Sequence, residues 1–201
     1  MKISIIIPYY ESDKDKPAVL QRLTDSLIGQ DEIIISANVK EGYAIPINRG
    51  LRIAHGDYLI VMNDDLILRK GSLTDLCDPN FVTSPRIDGQ KQDFWGCCFC
   101  LPRWVYETIG GLDERYRISY WDDDDWEATL LKNEIPYKSM PLVNFENRDG
   151  GGRTLHTFPD HNEFFKENKL KFIEKWGYEP NILKQFYKQH KRLPKKGEIL
   201  I

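Results

Sequence analysis

The chain has 201 residues, of which 41% are apolar, enough for one domain around one core. Lys and Arg number 28 against 31 Asp and Glu, a net charge of −3 that lacks the basic excess of a nucleic-acid binder. No apolar run approaches the ~20 residues that span a bilayer, and the opening Met1-Lys2-Ile3-Ser4-Ile5-Ile6-Ile7-Pro8 is too short for a signal peptide, so no transmembrane segment and a cytoplasmic location are expected.

Residues 3–7, four β-branched Ile around Ser4, stop at Pro8, the pattern of a buried parallel strand. Val19, Leu20, Leu23 and Leu27 fall at helical spacing after Pro17, which predicts a helix over 16–28. A short strand is expected at 32–35. Residues 43–54 read as a helix with Ile47, Leu51, Ile53 and Ala54 inward, and 58–62 as a third strand ended by Asn63-Asp64-Asp65. Strand–helix–strand–helix–strand over 65 residues predicts a mostly parallel α/β sheet, with ligands outside the carboxyl ends of its strands. Pro8-Tyr9-Tyr10-Glu11, Ser36-Ala37-Asn38 and Asn63-Asp64-Asp65 all lie at such ends.

In the second half, strands are expected at 94–101 and 138–144, and helices at 103–109 and 122–133. The first strand carries Cys97, Cys98 and Cys100, with Cys97 on the opposite face from the other two. No second ligand pair stands at zinc spacing, so these thiols read as small apolar groups. From Asp160 onward the pattern is helical and basic, with ten Lys or Arg against three Glu over 166–196. Leu170, Phe172, Ile173 and Trp176 are expected to be its buried side. That basic stretch suits a solvated helical face, an anionic partner or peripheral contact with a membrane surface. The organisation expected is a main domain over 1–158 and a helical extension over 159–201.

Three clusters can carry chemistry. Asn63-Asp64-Asp65 caps a buried strand with oxygen donors, as a hard divalent cation requires, or is an Asn/Asp turn. Asp122-Asp123-Asp124-Asp125 places four carboxylates at a helix start, where the dipole offsets part of their repulsion and Asp122 can act as N-cap. Flanking Tyr120, Trp121 and Trp126 favour a carboxyl of raised pKa, suited to a general base. Gly150-Gly151-Gly152-Arg153 makes a loop whose amides and guanidinium can meet phosphate, with His156 a potential metal ligand beyond it; an ordinary surface loop is the alternative. Among the large aromatics, Trp95 and Trp121 are assigned to a site and the rest to the core.

The order of these parts resembles the family-2 inverting glycosyltransferases of the GT-A fold. Ile5-Ile6-Ile7-Pro8-Tyr9-Tyr10-Glu11 is similar to their opening strand. Asn48-Arg49-Gly50, Ala54-His55-Gly56-Asp57-Tyr58 and Asn63-Asp64-Asp65 are similar to the run into their metal motif. Gly110-Gly111-Leu112-Asp113-Glu114 and Asp122-Asp123-Asp124-Asp125 are similar to their Gly-Gly-Phe-Asp-Glu segment and Glu-Asp-x-Asp motif. Ser36-Ala37-Asn38 stands where the family usually has two Asp.

The resemblance implies a nucleotide-diphospho-sugar transferase-like fold, a mostly parallel sheet flanked by helices with a small helical appendage. It implies transfer of a sugar from a nucleoside-diphosphate sugar, UDP by preference, to a hydroxyl of a glycan, lipid-linked or protein acceptor, with Mn²⁺ or Mg²⁺ as cofactor. Tyr10, with Pro8, Glu11, Ser36, Asn48, Asp64 and Arg153, would hold the nucleotide. Asp65 and His156 would bind the metal, Asp123 (or its rival Asp122) would be the base, and Trp95, Gly96 and Trp121 would face the sugar or acceptor. Two other readings compete: a sugar nucleotidyltransferase, whose first loop is usually Gly-rich and basic, and a non-catalytic carbohydrate- or nucleotide-binding module of the same fold.

Overall fold

The structure is a computed structural model that describes residues 1–9, 27, 31–118, 120–147 and 160–199. Seven strands form one sheet in the order β2-β1-β3-β6-β5-β7-β4. Strands β1 (Ile3–Tyr9), β2 (Glu32–Ala37) and β3 (Tyr58–Met62) make the parallel half. Their register sets Pro8 beside Ser36, so both strand ends open on the same edge. The other half is mixed. β6 (Cys98–Pro102) runs antiparallel to β3, β5 (Val82–Ile87) parallel to β7 (Tyr137–Asn147), and β4 (Leu66–Lys70) antiparallel to β7. The helix expected over 16–28 lies outside the described residues, apart from buried Leu27.

Two-residue alternation sorts the strand side chains into two cores. Ile6, Leu59, Val61, Phe99 and Leu101 join one cluster with Leu51 of α1 (Ala44–Ile53) and Trp126 of α3 (Asp122–Lys132). Ile5, Ile7, Ile60, Met62, Cys98 and Cys100 join the other with Phe145. A third cluster of Tyr116, Trp121, Phe172, Tyr178 and Leu183 fixes α4 (His161–Trp176) and α5 (Pro180–His190) to the acidic helix.

The remaining helix, α2 (Arg103–Ile109), and its terminator Gly110 match expectation. Several expectations need correction. Ile53 is 57% exposed: it stands six residues after Ile47, about 240° round the helix, whereas Leu51 and Ala54 return to the buried face. Leu170 is 69% exposed while Phe172 is fully buried, because residues two apart on a helix point in opposite directions. Strand β6 starts only at Cys98, so Cys97 escapes the alternation and packs on the same cluster as Cys98 and Cys100. β4 and β5 were not expected. Pro85 reads as a strand breaker, yet it sits where the β5–β7 register shifts between Ser84 and Arg86, so no regular ladder donor is needed there.

One polar clamp aligns the loop that feeds α3. Asn48 accepts the Leu112 N–H at 2.8 Å and donates to the Leu112 carbonyl at 2.8 Å and to Glu114 Oε1 at 2.9 Å. A Cβ on Gly111 would overlap the Asn48 amide, so glycine is required for this approach. Asn48→Ala should lower the unfolding free energy by about 1–3 kcal/mol, the cost of orphaning buried backbone groups. Chemical denaturation of the two proteins measures it, and an unchanged midpoint would show that the clamp is dispensable.

Candidate active site

Three chain segments meet at the carboxyl end of β3. Asn63 donates its N–H to the Cys97 carbonyl at 2.9 Å, which draws the turn before β6 alongside the Asn63-Asp64-Asp65 turn. Tyr43, just ahead of α1, sets its hydroxyl 2.8 Å from Asn63 Oδ1 and 2.9 Å from the Gly96 carbonyl. The start of α3 then closes on this turn, where a Cβ on Gly96 would overlap the Asp123 side chain. Gly96 is thus needed for Asp123 to stand beside the Asn63-Asp64-Asp65 turn.

Between these segments lies a cavity of about 640 Å³. Asn63, Asp65, Trp95 and Gly96 line its sheet side, and Tyr120 to Asp124 its helical side. Phe165 of α4 and Glu179, Pro180 and Asn181 at the start of α5 complete the wall.

The acidic run enters α3 through strained backbone. Ile118, Tyr120 and Trp121 hold φ of 65°, 76° and 72°, a region that costs non-glycine residues roughly 1 kcal/mol or more each. Trp121 is the N-cap residue, and Asp122, expected there, is the first helical residue. Packing holds the Trp121 ring, with Phe165 and Phe172 centroids at 5.4 and 5.5 Å.

The four carboxylates then meet four environments. Asp122 is buried, and burial together with the charge of Asp123 pushes its carboxyl well up. Its Oδ2 makes no hydrogen bond among the described residues. Asp123 is half-buried on the cavity wall and is raised to about 6, by burial first and by the charge of Asp124 second. Asp124 lies 3.4 Å from Lys184 of α5. Asp125 is buried and fully engaged, accepting from Tyr116 Oη at 3.0 Å, Trp176 Nε1 at 2.7 Å and Lys175 Nζ at 2.8 Å. Nearby Cys97 is pushed up to about 12 by burial and by Asp65 and Asp123, which rules out a thiolate nucleophile at neutral pH.

Of the residues singled out from sequence, Asp65, Trp95, Gly96, Trp121, Asp122 and Asp123 meet at this one cavity. Pro8 and Ser36 pair on adjacent strands, with Ser36 buried. Asp64 is buried and outside the lining, and Asn48 spends its amide on the loop clamp. Tyr10, Glu11, Arg153 and His156 lie outside the described residues. Among the described residues no three His, Cys, Asp or Glu side chains cluster to hold a metal. Sequence reasoning missed Tyr43, Phe165 and the Glu179-Pro180-Asn181 turn. Pro180 marks a helix start, but nothing in the sequence says what that start faces.

The Asp123 carboxyl makes stability depend on pH. Its value rises from an ordinary 3.8 to about 6 on folding, so between these values the folded chain binds more protons than the unfolded one. Stability from this group is therefore lost as pH climbs from about 4 to about 6. Asn at this position carries no such penalty. The thermal midpoint of Asp123→Asn relative to the native protein should rise between pH 4 and pH 7.5; a difference flat across that range would contradict the assignment.

No family model matches the sequence, and no curated protein matches it either. Solved structures do match. The catalytic domain of Drosophila beta1,4-galactosyltransferase 7, in complex with xylobiose, aligns with a TM-score of 0.56 at 17% identity, over 69% of this chain and 64% of its own. GalNAc-T7 with UDP, GalNAc and Mn²⁺ aligns with a TM-score of 0.62 at 13% identity, over 96% of this chain and 55% of its own. The mannosyltransferase PcManGT from Pyrobaculum calidifontis, in complex with GDP-Man and Mn²⁺, gives 0.52 at 16% identity, over 73% and 56%. The chain thus spans between 55% and 64% of the length of these proteins. The likeness is one of architecture: the chain has the GT-A fold of these glycosyltransferases.

Proposed function

We propose that this chain is a metal-dependent inverting glycosyltransferase that moves a sugar from a nucleoside-diphosphate sugar, a UDP-sugar first among them, to an acceptor hydroxyl. The observation that carries the reading is the meeting of Asp65 and Asp123 across one cavity at the carboxyl end of β3. Solved proteins of the same fold hold UDP or GDP-Man together with Mn²⁺. Free thiols at all four cysteines accord with a reducing, cytoplasmic setting.

The donor set fits a hard divalent ion. Asp65 and Asn63 offer oxygen atoms on the cavity wall. An ion of this kind takes one or two protein carboxylates and fills its remaining positions with phosphate oxygens and water, so a cage of three side chains is not required. Asp65 would be the principal ligand, and Mn²⁺ or Mg²⁺ bound there would offset the charge that develops on the departing diphosphate.

The chain's own part is to orient and deprotonate. Asp123 faces the cavity with a carboxyl poised near 6, ionised at neutral pH yet basic enough to accept a proton. As the acceptor oxygen forms its bond to the anomeric carbon, its proton passes to Asp123. The bond between that carbon and the diphosphate oxygen breaks on the opposite face, its electron pair leaving with the diphosphate, so the configuration inverts. Asp122 is the weaker candidate, because deeper burial favours its protonated form. The extension over 159–201 supplies the acceptor-side wall through Phe165 and Glu179.

Nucleotide release should require Mn²⁺, and Asp123→Asn should lower kcat/KM by about 10²–10⁴-fold, the usual worth of a general base. Release at the native rate by that variant would defeat the assigned role. In a separate measurement, UDP with Mn²⁺ should raise the thermal midpoint of the native chain and fail to do so in Asp65→Ala. An equal shift in both would remove Asp65 from the donor site.

A further inference from the structure

The charge of the cavity wall is one-sided. Asp65, Asp122, Asp123, Asp124 and Glu179 line it, and among the described residues no Lys or Arg does. Two lysines that pair with acidic residues of this wall are already engaged. Lys169 lies 2.6 Å from Glu179, and Lys184 meets Glu127 at 2.5 Å and Asp124 at 3.4 Å. Further along the basic stretch, Lys171 pairs with Glu167, Lys175 with Asp113 and Asp125, and Arg192 with Glu198. Much of the positive charge in that stretch, which suited an anionic partner when read as sequence, is thus spent inside the protein.

The end of the cavity towards α5 is aromatic. The Phe165 ring stands edge-on to Tyr120 and Trp121 at 5.5 and 5.4 Å, with Glu179 and Asn181 in the same wall. A saccharide hydroxyl can donate to the lining carboxylates and accept from the Asn181 amide. A carboxylate group can only accept at neutral pH, and here it would meet like charge unless a divalent ion faced it, as one would face the donor diphosphate.

We infer that the acceptor is an uncharged saccharide, seated against the aromatic α5 end of the cavity, and that Glu179 disfavours anionic acceptors by keeping Lys169 neutralised. This rests on the glycosyltransfer reading for the word acceptor, but saccharide binding can be measured without transfer. The full chain is titrated by saturation-transfer NMR with p-nitrophenyl glucoside, galactoside and mannoside, each beside the uronide of the same ring. At least one neutral glycoside should bind, with its uronide about tenfold weaker.

Phe165→Leu, which keeps an apolar side chain against Trp121 while removing the ring, should weaken the neutral glycoside about tenfold and leave the response to UDP with Mn²⁺ unaltered. Glu179→Gln should narrow the gap between glycoside and uronide to about threefold or less. A uronide that binds as well as its neutral partner would overturn the inference, as would silence from all three neutral glycosides. UDP with Mn²⁺ is titrated in parallel. Saccharide binding without UDP binding would strike the donor reading alone, and UDP binding without saccharide binding would strike this inference alone.

Discussion

Four consecutive carboxylates at the start of one helix are the constraint around which this site is built. Their mutual repulsion exceeds what a helix dipole offsets, so each must find its own solution. The 100° step of the helix aims them in different directions. Asp125 points into the protein and is neutralised by Lys175 with help from Tyr116 and Trp176. Asp124 turns towards Lys184. Asp122 is buried beside the cavity, and Asp123 is left on its wall, where among the described residues burial and Asp124 outweigh the charge of Lys184. Of the two carboxylates left without an ion pair among the described residues, Asp123 is the one less deeply buried, and it is the proposed base.

This distribution explains why the C-terminal helices belong to the site. Lys175 and Trp176 of α4 satisfy Asp125, and Lys184 of α5 bridges Asp124 and Glu127. The same packing stations Phe165 and Glu179 at the cavity rim. It also braces the positive-φ turn at Tyr120 and Trp121, whose strain persists because the Trp121 ring is wedged between Phe165 and Phe172. Asp113 follows the same logic from the other side of the loop, its carboxyl held well below the usual range by Arg115 and, after burial has opposed this, by Lys175.

Much of the sheet and the acidic cluster was legible in the sequence. Runs such as Ile5-Ile6-Ile7 mark the buried strands, and the Pro and Gly that frame α2 mark its bounds within a residue. The motif order singled out Asp65, Asp122 and Asp123, and the large aromatics added Trp95 and Trp121; all five line one cavity. What escaped were features without a local signal. Pro85 disguised β5, because a proline is tolerated where a register shift suspends the ladder. Asn48 sits in a motif suggestive of ligand binding, yet its partners are Leu112 and Glu114, 64 and 66 residues on. The α5 rim is invisible locally, since only the third core decides which way that helix faces.

The proposed mechanism is a single displacement with Asp123 as the base and no covalent intermediate. Proton NMR of the first-formed glycoside, made from an α-linked nucleotide sugar with Mn²⁺ present, tests it most directly. A β-linked product is the predicted result. An α-linked product would mean retention, which a single displacement cannot give, and would contradict the mechanism even if every residue at the site proved essential.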